Sequence, residues 1–152
     1  MTHTMLAVEI RRPTENDLPA IERLLTASSL PLDGVREALP SFVLAEAGDT
    51  LVGVAGLEVC CDNALLRSVA VDPAWRSQGI GRLLVTRVIA DAESRGIHAL
   101  YLLTTSAERY FPGFGFQEIT RNEVPEDVRA TAEFQSACPA SATVMTRPIA
   151  RP

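Results

Sequence analysis

The run Val69-Ala70-Val71-Asp72-Pro73-Ala74-Trp75-Arg76-Ser77-Gln78-Gly79-Ile80-Gly81-Arg82 constrains this chain more than any other stretch, because an apolar strand ends in a tight turn that feeds directly into a helix. The first four amides of a helix have no partner within it, and the aligned peptide dipoles place about half a positive charge there. Gly79 and Gly81 carry no Cβ, so an anion approaches the backbone closely. The turn therefore reads as a site for a pyrophosphate. It is neither of two common phosphate loops. A Walker loop needs Gly-Lys-Ser/Thr after a longer glycine loop, and a dinucleotide fingerprint needs an earlier glycine.

The remainder alternates strands and helices, without repeats or low-complexity linkers. Leu6 to Arg11 reads as a strand, and Thr14 is placed to cap a helix carrying Leu18, Ile21, Leu24 and Leu25 on one face. Ser28 to Pro40 is a connection in which Gly34 to Leu39 forms a helical turn. Phe42 to Ala47 and Leu51 to Cys60 form an antiparallel hairpin about Gly48-Asp49. Leu65 to Val71 is the strand that enters the phosphate turn. The helix after it runs from about Gly79 to Arg95, with Leu83, Leu84, Val88, Ile89 and Ala92 as its buried stripe and Gly96 as its stop. Ile97 to Thr105 is a buried strand, Ser106 to Phe111 a short helix, Phe116 to Thr120 extended, Pro125 to Ser136 a helix, and Ala142 to Pro148 a last strand. The pattern is α/β with a mixed sheet.

One domain, residues 1–152, is expected from the length and from a hydrophobic content of 47%, with residues 1–5 carrying little order. No run approaches the roughly 20 apolar residues of a membrane span, and Met1 to Pro13 is too weakly apolar for a signal peptide. Cys60, Cys61 and Cys138 cannot all pair within the chain and lack the spacing of a metal clip, and His3 and His98 show no ligand spacing; no metal and a reducing, cytoplasmic setting are expected. Two of the cysteines, Cys60 and Cys61, are adjacent on a strand and would point to opposite faces. A net charge of -5 with no basic block argues against a nucleic-acid partner and for a small molecule.

Arg76-Ser77-Gln78-Gly79-Ile80-Gly81 after Val71-Asp72-Pro73, followed by Ala107-x-x-Tyr110-Phe111-x-x-x-Gly115-Phe116, resembles the Arg/Gln-x-x-Gly-x-Gly/Ala signature and second motif of the GNAT acyl-CoA N-acetyltransferase superfamily. The resemblance implies a twisted, mostly antiparallel sheet with a V-shaped splay between its central strands and helices on both faces. Acetyl-CoA would lie in the splay as cosubstrate. The backbone of Val69, Ala70 and Val71 would meet the pantetheine arm. The turn residues Arg76, Ser77, Gln78, Gly79, Ile80, Gly81 and Arg82 would hold the pyrophosphate, with Thr105 and Phe111 completing the cofactor contacts. The reaction implied is direct attack of an amine on the thioester in a ternary complex, with the Val69 amide as oxyanion donor and Glu58 or Glu46 as proton relay.

In much of the superfamily a tyrosine at the fifth position of the second motif protonates the departing thiolate. Here that position is Phe111, and Tyr110 falls one residue early. One residue is a rotation of about 100° on a helix, so only an irregular turn would bring Tyr110 to the sulfur. Leu102-Leu103-Thr104-Thr105 with Phe111 is similar to the acetyltransferase domain of N-acetylglutamate synthases. Leu66-Arg67-Ser68 with the tail Phe134 to Ala142 is similar to small GNAT proteins associated with arsenic-resistance operons. These likenesses imply a small amino-acid-like acceptor, glutamate-like or an arsenical or phosphinic amino acid. Arg67, Ser68, Thr104 and Arg129 are the acceptor-binding candidates, with Arg109 as a further cation for a carboxylate. A non-catalytic acyl-CoA-binding or sensing module and a protein or peptide N-acetyltransferase are the alternatives, and a homodimer is common in the family.

Overall fold

The computed structural model describes residues 8–136 and 142–149. Its strands are β1 (Val8–Arg11), β2 (Phe42–Ala47), β3 (Thr50–Cys60), β4 (Asn63–Val71), β5 (Ala99–Thr104), β6 (Gln117–Ile119) and β7 (Thr143–Pro148), and its helices are α1 (Leu18–Ala27), α2 (Val35–Ala38), α3 (Ile80–Ser94), α4 (Glu126–Arg129) and α5 (Ala132–Ser136). The strands form one sheet in the order β1-β2-β3-β4-β5-β7-β6. Every neighbouring pair is antiparallel except β4 with β5.

Strand alternation sorts the core onto two faces. On β2, Val43, Ala45 and Ala47 pack with Leu84, Val85, Val88 and Ala92 of α3, whereas Phe42 and Leu44 pack with Ile21, Leu24 and Leu25 of α1. A third cluster joins Leu65 and Val144 to Val124, Val128 and Phe134 around α4 and α5. Helices therefore cover both faces, as the resemblance implies. At the edge, Arg11 donates to both oxygens of Asp17 at 2.9 Å and to Glu46 at 3.2 and 3.0 Å, tying β1 and β2 to the entry of α1.

β4 departs from regular alternation. Val54 pairs with Ala70 and Gly56 with Arg67, so Ala55 alone faces both Ser68 and Val69, the two-against-one count of a β-bulge. Ser68 has φ 61°, in the left-handed region. The bulge reverses which residues face which layer: Ala64 and Leu66 pack in the α3 cluster before it, yet Val69 and Val71 do so after it, while Ala70 turns to the α1 cluster.

Several local expectations are corrected. Thr14 opens a 3-10 turn, Glu15–Asp17, closed by its own amide donating to Asp17 at 2.7 Å, and α1 begins only at Leu18. Leu83 is 49% exposed, because the buried stripe of α3 runs through Ile80, Leu84, Val85, Val88, Ile89 and Ala92 and Leu83 falls beside it. Residues 106–111 do not form a helix: the Thr104 hydroxyl accepts from the amides of Ser106 at 3.3 Å and Ala107 at 2.9 Å, competing with helical bonding, and a 3-10 turn, Phe111–Phe114, follows. The segment 125–136 is two helices, because the Thr131 hydroxyl donates to the Val128 carbonyl at 2.7 Å and accepts from the Phe134 amide at 3.4 Å. Cys61 has left the strand for the β3–β4 turn with φ 55°. Leu6, Ala7, residues 1–5 and Cys138 lie outside the described residues.

A Cβ on Gly56 would meet the Phe42 ring at 2.2 Å. Since Phe42 is fully buried between β2 and α1, Gly56→Ala is expected to lower unfolding stability by about 3 kcal/mol, read from the urea midpoint, with part recovered in Gly56→Ala/Phe42→Leu.

Candidate functional site

The parallel pairing of β4 with β5 lasts three residues, Asn63–Leu65 against Ala99–Tyr101. From Leu66 onward β4 has no strand on that side, and its backbone groups open onto a wedge. The wedge holds a cavity of about 520 Å³ lined by Leu66 to Val71 of β4, Leu102 to Thr104 of β5, Ser28 and Leu30 after α1, the turn residues Trp75, Arg76, Ser77 and Gly79, the first residues of α3, and Ser106, Ala107, Tyr110 and Phe111. Three arginines, Arg67, Arg76 and Arg82, stand in this described lining, and no carboxylate or histidine does.

The turn into α3 gathers backbone donors. Ser77 at φ 66° and Gly79 at φ 83° both adopt left-handed backbone, and the first helical bond runs from the Leu83 amide to the Gly79 carbonyl at 3.1 Å. The amides of Ile80, Gly81 and Arg82 precede that bond and so have no intrahelical acceptor. Successive amides of this kind form an anion-binding concavity. Asp72 stiffens the turn by accepting from the Ala74 amide at 2.9 Å, and the Arg76 Nε reaches the Val71 carbonyl at 3.4 Å.

Tyr110 faces the wedge because its segment is an irregular turn rather than a helix. Its ring packs edge-on against Phe111 at 5.3 Å and Phe114 at 5.2 Å, and Phe111 packs in turn on Phe116 at 5.8 Å. Its hydroxyl lies 3.0 Å from where a Cβ on Gly81 would stand, over the first turn of α3. Partial burial pushes the phenol above its ordinary value, against a smaller opposite pull from the Arg82 guanidinium, which itself sits 5.4 Å over the Phe114 ring. Phe111 is 6% exposed and belongs to the core as well as the wall.

Arg67 is 2% exposed on the α1 side of β4. It donates to Glu58 at 2.9 Å, to the Ser68 hydroxyl at 3.0 Å and to the Pro31 carbonyl at 3.4 Å. The second Glu58 oxygen accepts from the Ala132 amide at 2.7 Å. Glu58 is thus held beneath the wedge rather than lining it, and Glu46 is committed to Arg11 at the sheet edge. Of the other expected site residues, Val69, Ala70, Val71, Arg76, Ser77, Gly79, Ile80, Gly81, Arg82, Ser68 and Thr104 come together around the wedge, whereas Gln78, Thr105 and Arg129 lie outside its lining. Arg109 is exposed on the turn before Tyr110, also off the lining. Trp75, which reads from sequence as packing, lines it without having been expected to. Ser28 and Leu30 line it too, from the Ser28 to Pro40 connection that the resemblance places beside the acceptor pocket.

Among the described residues no group of three or more His, Cys, Asp or Glu is placed to hold a metal ion, and no helix is long and apolar enough to cross a membrane. Burial pushes the Cys60 thiol up to about 12, which leaves it protonated at neutral pH.

Comparison with known proteins adds the following. The model of the Acetyltransferase (GNAT) family matches residues 6–116. An amino-acid acetyltransferase of Mycobacterium tuberculosis is 33% identical over 129 residues, covering 78% of this chain and 74% of that protein. Among solved structures, N-acetylglutamate synthase from Neisseria gonorrhoeae complexed with coenzyme A and N-acetyl-glutamate superposes with a TM-score of 0.83 at 26% identity over 95% of this chain, which spans only 36% of that larger protein. A Mycobacterium tuberculosis protein in complex with CoA gives a TM-score of 0.79 at 28% identity, covering 93% of this chain and 99% of that one.

The partly desolvated phenol, 44% exposed, makes a spectroscopic prediction. In a Tyr101→Phe background, ultraviolet titration near the tyrosinate band is expected to show Tyr110 ionising at higher pH than free tyrosine, because its environment disfavours the charged form.

Proposed function

Since the chain belongs to the Acetyltransferase (GNAT) family and is an acyltransferase, we propose that it transfers the acetyl group of acetyl-CoA to the amine of a small amino acid, L-glutamate first among the acceptors to test. The observation that carries this reading is the wedge between β4 and β5: a cleft whose described lining has no carboxylate and, besides the Glu58-paired Arg67, the two arginines Arg76 and Arg82, in a chain of net charge -5, opening onto the free amides at the start of α3. Such a cleft suits an extended ligand with a diphosphate at one end. The residues fit that group.

When bound, acetyl-CoA supplies the activated acyl carbon. The amides from Gln78 to Arg82 and the Arg76 and Arg82 side chains hold the diphosphate, and the β4 backbone from Val69 to Val71 aligns with the pantetheine arm. The acceptor enters from the opposite face, beside Ser28, Leu30, Ser68 and Thr104, because α1 and α3 lie on opposite sides of the sheet. Its neutral amine attacks the thioester carbon, forming the C–N bond while the carbonyl electron pair moves to oxygen, where the Val69 amide donates. Collapse then breaks the C–S bond. The amine proton leaves through water, since no carboxylate or histidine lines the described cleft.

Tyr110 is the phenol in the described cleft lining, its hydroxyl over the first turn of α3. Partial burial holds its phenol above the ordinary value, and an ordinary phenol already ionises above a thiol, so outright proton transfer from the phenol to the thiolate is uphill. Its part is to donate a hydrogen bond to the departing sulfur while solvent supplies the proton. A hydrogen-bond donor of this kind is worth less than a general acid.

The test is thiol release from acetyl-CoA with a panel of free amino acids, including glutamate and its arsenical and phosphinic analogues, beside candidate peptides. Amine-dependent turnover on free amino acids is expected. Acetyl-CoA binding without turnover on any amine would make the protein a binding module, and turnover on peptides alone would move the acceptor class. Gly81→Val is expected to weaken acetyl-CoA binding by at least about tenfold in calorimetry, equal to ~1.4 kcal/mol, with the fold retained. Tyr110→Phe is expected to slow kcat by about tenfold, below the 10²–10⁴-fold range of a lost general acid, with acetyl-CoA affinity little changed.

A further inference from the structure

We infer that Arg67 is a positioning residue, holding Ser68 in the left-handed bulge that aims the Val69 amide into the cleft. The inference rests on the reading above, in which that amide meets the thioester oxygen.

A residue with a Cβ at φ 61° is disfavoured and persists only where its surroundings over-determine it. Ser68 is 3% exposed, and its hydroxyl accepts from the Arg67 Nε at 3.0 Å. The guanidinium is fixed on its other edges by Glu58 at 2.9 Å and the Pro31 carbonyl at 3.4 Å. Gly34 closes over it so tightly that a Cβ there would stand 3.0 Å from the Arg67 Nη1. Glu58 is anchored in turn by the Ala132 amide at 2.7 Å. A side chain clamped from β3, the α1–α2 connection and α5 is an immobile peg, and Ser68 hangs on it.

What depends on the peg is register. Before the bulge the even-numbered residues Ala64 and Leu66 face the α3 layer; after it the odd-numbered Val69 and Val71 do. Were the bulge to relax into regular strand, the backbone from Val69 to Val71 would turn over by one residue, and the amide aimed at the cleft would aim elsewhere. Because the Arg67 charge is already matched by Glu58 and its side chain is fully buried, Arg67 serves this framework rather than offering an uncompensated cation to an acceptor carboxylate.

The experiment follows backbone amides of the ¹⁵N-labelled 152-residue chain as acetyl-CoA is added without acceptor, alongside steady-state kinetics with the fastest amino acid of the panel. In the wild type, the amides of Ile80 to Arg82 and of Val69 are expected to shift. In Ser68→Val, and in Arg67→Gln/Glu58→Gln, the helix amides still shift but the Val69 response is lost. kcat then falls about 100-fold, the scale of a missing oxyanion donor, while the acceptor KM moves less than about threefold. Replacing Ser68 by glycine instead of valine recovers at least about tenfold of that loss, since glycine adopts positive φ without a steric penalty. If the double variant fails to fold, the valine and glycine pair carries the same test. If no amino acid turns over, the amide shifts alone decide. A Val69 response in the variants equal to that of the wild type overturns the inference, as does an acceptor KM that rises in Arg67→Gln/Glu58→Gln with kcat held. Helix amides unmoved in the wild type would instead overturn the cofactor site itself, and this inference with it.

Discussion

Three residues of parallel pairing hold β4 to β5, and everything about the cleft depends on the pairing stopping there. A sheet that stayed closed would spend the β4 backbone on ladder hydrogen bonds and leave no groove. Once the strands part, the backbone polar groups of β4 require another partner, and the free amides at the start of α3 sit at the mouth of the same opening. Two sets of main-chain donors, one from a strand and one from a helix, thus face one cavity without any long side chain having to be ordered.

The aromatic stack and the buried ion pair secure the two sides of that opening. Phe116, Phe111 and Tyr110 form a run of edge-to-face contacts that carries the core out to the wall near Gly81. On the other side Arg67 and Glu58 bind together β3, β4, the Pro31 carbonyl and the start of α5. A buried pair of this kind is weak evidence for stability, because desolvation offsets much of the attraction. Its value here is geometric, since it fixes several backbone segments relative to one another.

Much of this was legible in the residues. Val69 to Arg82 specified a strand, a tight turn and a helix whose first amides are free, and Gly79 does adopt the left-handed backbone that its lack of a side chain permits. Phe42 to Ala47 and Leu51 to Cys60 predicted an antiparallel hairpin about Gly48-Asp49, which β2 and β3 form. The bulge was not legible, because its left-handed residue is a serine and no glycine marks the position; what stabilises it comes from residues 31, 58 and 132, far away in sequence. The turn bearing Tyr110 reads as helix in sequence, because the Thr104 hydroxyl, whose competition with helical amides decides the segment, precedes it on β5. Leu83 reads as part of the buried helical stripe, but the stripe runs through Leu84 and Val85 and leaves it at the side.

The last strand lies between two earlier ones: β7 pairs with β5 over Ala99–Thr104 and with β6 over Gln117–Ile119. In chain order, then, β1 to β4 find their strand partners within residues 8–71, while β6 has none until residues 143–148 are supplied. The hairpins of β2, β3 and β4 beside the free amides of α3 are therefore paired before the chain reaches Tyr110, whereas the sheet edge beyond Tyr110 closes only with the last strand. The last strand is thus the keystone of that edge, since β5 and β6 meet in the sheet only through it.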